Sequence, residues 1–163
     1  MFVTTGSQQF QFDRLLRAVD ECVSSGVIDD GVFAQIGHCN YEPKNFEFAR
    51  FLSRSYFSEK MSMSDVVITH GGTGSIVTAL KQGKKVIAMP RLVRFGEHVD
   101  DHQVQLLEQF AEAKLILICM DAKSLEAAYL KALKLEFSRY VSSNEDIIAD
   151  IDEYLSRTGE RQW

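Results

Sequence analysis

Apolar positions along the chain follow two spacings: short continuous runs, and recurrences every three or four residues. The continuous runs predict buried strands at Met1–Thr5, Val32–Ile36, Phe46–Phe51, Val66–Ile68, Val86–Met89 and Leu115–Cys119. The longer spacing predicts helices within 12–26, near Ser58–Met63, after Ser75, at about Asp100–Gln109, from Ser124 and across 143–157. Strands that alternate with helices predict an α/β fold, a Rossmann-like parallel sheet with helices on both faces.

Composition favours one ordinary globular domain spanning residues 1–163, with 45% hydrophobic and 25% charged residues. No apolar run approaches the roughly 20 residues of a membrane span, and the N-terminus lacks a signal-peptide layout. The net charge of −5 argues against a nucleic-acid partner. Cys22, Cys39 and Cys119 lie far apart, which predicts buried thiols in a reducing compartment rather than a disulfide or zinc site.

A polar, glycine-dense turn follows the fourth predicted strand. It consists of His70, Gly71, Gly72, Thr73, Gly74 and Ser75. Glycines let a ligand approach the backbone, and the N–H groups and dipole of the following helix favour a phosphate. Ser75 is a candidate helix cap and Thr73 a candidate hydroxyl donor. The alternative is a tight connection without a ligand. The dinucleotide pattern G-x-G-x-x-G is absent, which disfavours NAD.

Two further polar loops follow predicted strands, at 6–9 and 91–103, and in a parallel sheet all three loops are expected to share one cleft. From Lys81 to Arg94 the chain carries five basic residues and no acidic one. Of these, Arg91 and Arg94 are the candidates for holding a diphosphate, because they follow a strand. Lys84 and Lys85 are interpreted as surface residues.

The sequence Glu97-His98 and Asp101-His102-Gln103 places five hydrogen-bonding side chains within seven residues, which suits sugar hydroxyls. We predict no metal site here. The next helix is expected to begin near Asp100, so that the imidazoles of His98 and His102 need not share a face.

Together these motifs resemble the carboxyl-terminal, nucleotide-sugar-binding half of GT-B glycosyltransferases of the MurG type. They are most similar to the stand-alone half-enzymes related to Alg13 and to the bacterial exopolysaccharide subunit PssE. The resemblance is carried by Val3–Ser7, Phe12–Leu16, His70–Ser75, Gly83–Lys84, Met89–Arg91 and Gly96–Gln103.

The resemblance implies roles for individual residues. His70 to Ser75 would receive the donor diphosphate, Gly6 and Ser7 would line the same cleft, and His102-Gln103 would contact the donor sugar. Many relatives carry a glutamate that binds the ribose where this chain has Thr78. A threonine offers only a non-ionic contact, and the PssE-like branch shares this feature.

The implied function is a subunit of an inverting glycosyltransferase that moves a hexose or hexuronic acid from a UDP donor to a lipid-linked saccharide in exopolysaccharide or capsule synthesis. No metal or cofactor is expected. Glu97 or His98 is the candidate base, although the base often lies in the other half of such enzymes. The resemblance implies that this other half is a separate membrane-anchored protein like Alg14 or PssD. Helix 143–157 would dock this partner, and the partner would recruit the cytoplasmic subunit to the inner face of the membrane. Two alternatives are a non-catalytic donor-binding subunit and a sugar-nucleotide epimerase or hydrolase.

Overall fold

The sheet has six parallel strands in the order β3-β2-β1-β4-β5-β6 in the computed structural model, which describes residues 1–29 and 31–141. The strands are β1 Phe2–Thr4, β2 Phe33–Gln35, β3 Glu47–Ala49, β4 Val66–His70, β5 Lys85–Met89 and β6 Leu117–Ile118. All six lie within or overlap the predicted apolar runs, and the Rossmann-like architecture is confirmed. Strands β1 and β4 are buried along their whole length, which explains why they read as continuous apolar runs.

The described part of the chain contains five helices, of which four lie between strands and the fifth follows β6. They are α1 Asp13–Ser24, α2 Arg54–Ser62, α3 Thr73–Lys81, α4 His102–Glu112 and α5 Leu125–Lys134. Helix α2 begins earlier than predicted, because the Ser53 side chain caps it by accepting the Tyr56 N–H at 3.3 Å. The predicted terminal helix 143–157 lies outside the described residues. None of the described helices is long and apolar enough to cross a membrane.

The helices cover the two faces of the sheet with separate apolar cores. Side chains of α1 and α5 pack on one face against Val3, Ile68 and Ile87. Side chains of α3 and α4 pack on the other face against Phe2 and Val67. Neighbouring strand residues thus enter opposite cores, as the two-residue period of a strand requires.

The strand order reverses between β1 and β4, which pair in parallel with Thr4 opposite Thr69. The chain moves outward from β1 through β2 to β3 and then crosses back to β4 on the other side. At such a point the loops after the two strands diverge and leave a crevice, where α/β proteins bind ligands. In this chain that point lies between the loop after Thr4 and the turn after His70, where a crevice is therefore expected.

Asp20 is a buried carboxylate that fixes the loop before β3, and we predict that Asp20→Ala lowers the free energy of unfolding by about 3 kcal/mol. It accepts the Tyr41 hydroxyl at 2.6 Å, the backbone N–H groups of Lys44 and Asn45 at 3.0 and 2.9 Å, and the Asn45 amide at 3.0 Å. Tyr41→Phe removes only one of these bonds and should cost about 1 kcal/mol. Urea denaturation measures both, and equal losses in the two variants would contradict the prediction.

Candidate functional site

The imidazole of His70 fills the space between the two turns that line the crevice. It is 7% exposed at the end of β4. A Cβ atom on Gly6 would lie 2.6 Å from His70 Cε1, and one on Gly72 would lie 2.2 Å from His70 Nε2. Gly6 also has a positive φ of 80°. Glycine is therefore required at both positions, because the His70 ring occupies the space that a larger side chain would need.

Helix α3 begins at Thr73, directly after the N-cap residue Gly72, and the cap supplies no side-chain hydrogen bond. The predicted cap Ser75 instead lies in the first helical turn. A Cβ atom on Gly74 would meet no heavy atom within 4 Å, and Thr73 and Gly74 are exposed. The first turn of α3 thus presents its backbone to open space at the positive end of the helix dipole.

Two other predicted donor-binding residues lie at the surface near this turn. Thr78 is exposed on α3, and its hydroxyl donates to the Gly74 carbonyl at 2.6 Å. Ser7 is exposed on the loop after β1. Both side chains are accessible to a ligand in the crevice.

Gln103 connects the glycine turn to the end of β5. Its side-chain oxygen accepts the N–H of Gly71 at 3.1 Å and that of Arg91 at 3.0 Å, and the residue is 3% exposed. These two bonds occupy the side-chain oxygen and leave the amide nitrogen of Gln103, so that its contact with the donor sugar stays a prediction. Its observed role is to hold two loops of the crevice together.

Arg91 lies beneath the first loop and not in the crevice. It is 1% exposed, and its Nη2 donates to the carbonyls of Thr5 at 2.5 Å and Phe10 at 3.2 Å. The geometry therefore does not support direct contact between Arg91 and a diphosphate. Arg94 is exposed, with its guanidinium 4.9 Å from the centre of the Phe95 ring, and remains available to a ligand.

Arg14, on the first turn of α1, holds the loop after β5. Its Nε and Nη2 donate to the two carboxylate oxygens of Glu97 at 3.1 and 2.8 Å, and Nη2 also donates to the Pro90 carbonyl at 2.9 Å. Glu97 is 1% exposed and accepts the Leu92 N–H at 3.0 Å as well. Both carboxylate oxygens therefore already bond to protein donors, and in this structure Glu97 connects the loop after β5 to α1. Its role as a base stays a prediction.

The side chains of His98 and His102 lie next to each other. Their ring centres are 4.9 Å apart although α4 begins only at His102, because the loop from His98 to Asp101 folds back. His98 also packs on the Phe10 ring at 5.1 Å, and His102 is exposed and hydrogen-bonded to Asp100.

Sequence reasoning missed Arg14 as a residue of the site. The sequence contains one indication of this role, because Arg14 directly precedes Leu15 and Leu16 at the start of an amphipathic helix. Its partner Glu97 lies 83 positions away, and only the fold brings the two side chains together.

The model of the glycosyltransferase family 28 C-terminal domain matches residues 1–153. The chain belongs to this family. Among curated relatives, it is 34% identical over 76 residues to the UDP-N-acetylglucosamine transferase subunit ALG13 of Yarrowia lipolytica, covering 47% of this chain and 36% of that protein. It is 33% identical over 85 residues to the Saccharomyces cerevisiae subunit of the same name, covering 49% and 40%. The matched stretches thus span well under half of these relatives.

Solved structures agree with this family-28 fold. The solution structure of ALG13 matches with a TM-score of 0.58 at 19% identity, covering 92% of both chains. Acinetobacter baumannii MurG matches with a TM-score of 0.56 at 16% identity, covering 80% of this chain and 40% of that protein. The described architecture is that of a single GT-B half.

Acid should destabilise this family-28 domain through His70. Burial first, and then the charge of Arg91, lower the pKa of His70 from 6.5 to about 4. Between these values the unfolded chain binds a proton that the folded chain does not. The free energy of unfolding should therefore fall by about 3 kcal/mol from pH 6.5 to pH 4 on account of this one group.

Urea denaturation across this range measures the loss, and NMR titration of the His70 ring assigns it. The variant His70→Asn, if it folds, should show a smaller acid loss. A His70 ring that titrates between pH 6 and 7 would contradict the prediction.

Breaking the buried ion pair should be costly. Glu97→Gln keeps the shape of the side chain but leaves the partly buried Arg14 without its charged partner, so that we expect a loss of about 3 kcal/mol in the free energy of unfolding. Glu42→Gln is the matched control. It breaks a pair with Arg50 in which the two side chains are 58% and 50% exposed, and should cost less than about 1 kcal/mol. Equal costs by urea denaturation would show that the buried pair has no special role.

Proposed function

We propose that this chain is the donor-binding subunit of an inverting glycosyltransferase that uses a UDP-sugar. The observation that supports this most strongly is the uncapped start of α3. It presents exposed Thr73 and Gly74 at the carboxyl edge of the sheet, beside the point where the strand order reverses. The family assignment supports the same reading.

In this proposal the donor diphosphate lies against the first turn of α3. Sugar transfer leaves negative charge on the diphosphate, and preorganised N–H groups stabilise that charge without reorganising during the reaction. Arg94, which is exposed near the same edge, supplies a mobile cation. Thr78 contributes its hydroxyl near the ribose, and Ser7 lines the opposite wall.

The acceptor hydroxyl needs a base, and the described residues offer little for that task. Glu97 is bonded to Arg14 and Leu92, which leaves His98 as the candidate within residues 1–29 and 31–141. We therefore propose that the acceptor, and with it the base or its orienting groups, is supplied by a separate membrane-anchored protein. The hydrogen bonds of Glu97 to Arg14 and Leu92 also favour a second candidate function, in which this chain binds the donor and takes no part in proton transfer.

The sugar and the pathway are the finer parts of the proposal. The curated relatives are named as UDP-N-acetylglucosamine transferase subunits, so N-acetylglucosamine is the first donor to test. Glucose, galactose and glucuronic acid follow, because the PssE-like features point to exopolysaccharide or capsule synthesis on a lipid-linked acceptor.

Gly74→Ala should weaken UDP binding without destabilising the fold. The added methyl group meets no protein atom within 4 Å and replaces a helical glycine by the best helix former. It projects into the space proposed for the diphosphate, so that loss of one or two charge-assisted hydrogen bonds should weaken binding tenfold or more. Isothermal titration with UDP measures the affinity.

Gly31→Ala is the matched control, because its Cβ is equally unobstructed and Gly31 lies before β2, at the opposite edge of the sheet. It should leave UDP affinity unchanged. Unchanged affinity in Gly74→Ala, with clear UDP binding by the wild-type chain, would place the nucleotide elsewhere. Absence of UDP binding by the wild-type chain would overturn the proposed donor role.

A further inference from the structure

Three metal-ligating side chains converge at the carboxyl edge of the sheet, around the start of α4. His98, Asp100 and His102 each offer one ligand atom, and these atoms all lie within 4.8 Å of one another. Two imidazole nitrogens and a carboxylate oxygen form a ligand set that zinc and similar divalent ions accept in proteins. Metal binding by these three side chains is a different role from the sugar contact predicted for His102.

The spacing of two of these ligand atoms fits one small ion. In a tetrahedral zinc site with bonds of about 2.0–2.1 Å, neighbouring ligand atoms lie about 3.3 Å apart. His98 Nδ1 lies 3.4 Å from Asp100 Oδ1, which matches this spacing. His102 Nδ1 contacts the same carboxylate oxygen more closely, so that the exposed His102 side chain must move away from it to admit an ion.

The surrounding structure holds the ligands in place but leaves the site open. The His98 side chain is 8% exposed and packs on the Phe10 ring, while the backbone N–H of His102 donates to Asp100 Oδ1 at 3.2 Å. The side chains of Asp100 and His102 are 56% and 57% exposed. An ion can therefore enter from solvent and keep water in its remaining coordination positions.

We propose that His98, Asp100 and His102 form a binding site for a divalent transition-metal ion of the zinc class, with at least one coordination position open to water. Ion binding by this triad is independent of the donor role. One consequence does rest on the proposed function: an ion held by His102 withdraws that side chain from the donor sugar, so that zinc should weaken UDP-sugar binding.

The test is a cobalt titration of the untagged full-length chain, followed through the visible absorption of protein-bound Co²⁺ and reversed by Zn²⁺. The wild-type chain should bind one equivalent. His98→Ala and His102→Ala should each weaken binding tenfold or more, because loss of a ligand costs at least as much as loss of a residue that orients one. His38→Ala is the matched control, since His38 is exposed and packs on Phe51, away from the triad. Circular dichroism establishes that each variant is folded.

The result that overturns the proposal is equal Co²⁺ affinity in the wild-type chain and both triad variants, or no binding by the wild-type chain at millimolar Co²⁺. Loss of binding in His38→Ala would place the ion elsewhere and overturn it as well. The buried cysteines Cys22, Cys39 and Cys119 are not competing ligands in the folded chain. UDP titration without metal separates the two proposals, because cobalt binding with no UDP binding contradicts the donor role alone.

Discussion

The shape of the crevice depends on the contact between the His70 imidazole and two glycines. The ring occupies the volume that side chains at Gly6 and Gly72 would need, and it thereby sets the separation between the loop after β1 and the start of α3. A rigid aromatic ring fixes this separation better than a flexible chain would, because few rotamers are lost when it is buried. The ring stays neutral at physiological pH, so that it supports the backbone without adding a second buried charge beside Arg91.

Three polar side chains form a second layer below the crevice. Gln103 bonds the backbone at Gly71 and Arg91, Arg91 bonds the carbonyls at Thr5 and Phe10, and Glu97 fastens the loop after β5 to Arg14. Burying such groups is costly unless their hydrogen bonds are made, and Nε and Nη1 of Arg91 are buried without a hydrogen-bond partner among the described residues. The bonds that are made connect three loops that have no regular secondary structure to define them.

The sequence was sufficient to predict the sheet, because its central strands are buried on both faces and read as apolar runs that end at polar turns. It also predicted that the loops after β1, β4 and β5 lie together, because parallel strands end at one edge, and hydrogen bonds of Gln103 and Arg91 join these loops. It did not reveal which loop residues face the ligand. A strand or helix has a period from which orientation can be read, whereas the loop from Arg91 to Asp101 has none. Arg91, Glu97 and Gln103 were thus assigned to the ligand because of their chemistry, although the fold turns them inward. The helix start at Thr73 is likewise not apparent from the sequence, because its N-cap is Gly72, which has no capping side chain.

Because Arg91 points inward, its charge acts on its surroundings through the protein interior and not by direct contact with a ligand. Arg91 is too buried to touch a diphosphate, yet its charge lowers the pKa of His70, which lies against Gly72 at the start of α3. The positive potential of that guanidinium therefore reaches the turn through a low-dielectric interior, where it is screened less than a surface charge. Together with the helix dipole it favours an anion at the first turn of α3 before any side chain moves. In the proposed donor site, fixed charges and backbone groups would hold the diphosphate, and the exposed side chains of Arg94, His102 and Thr78 would distinguish one activated sugar from another.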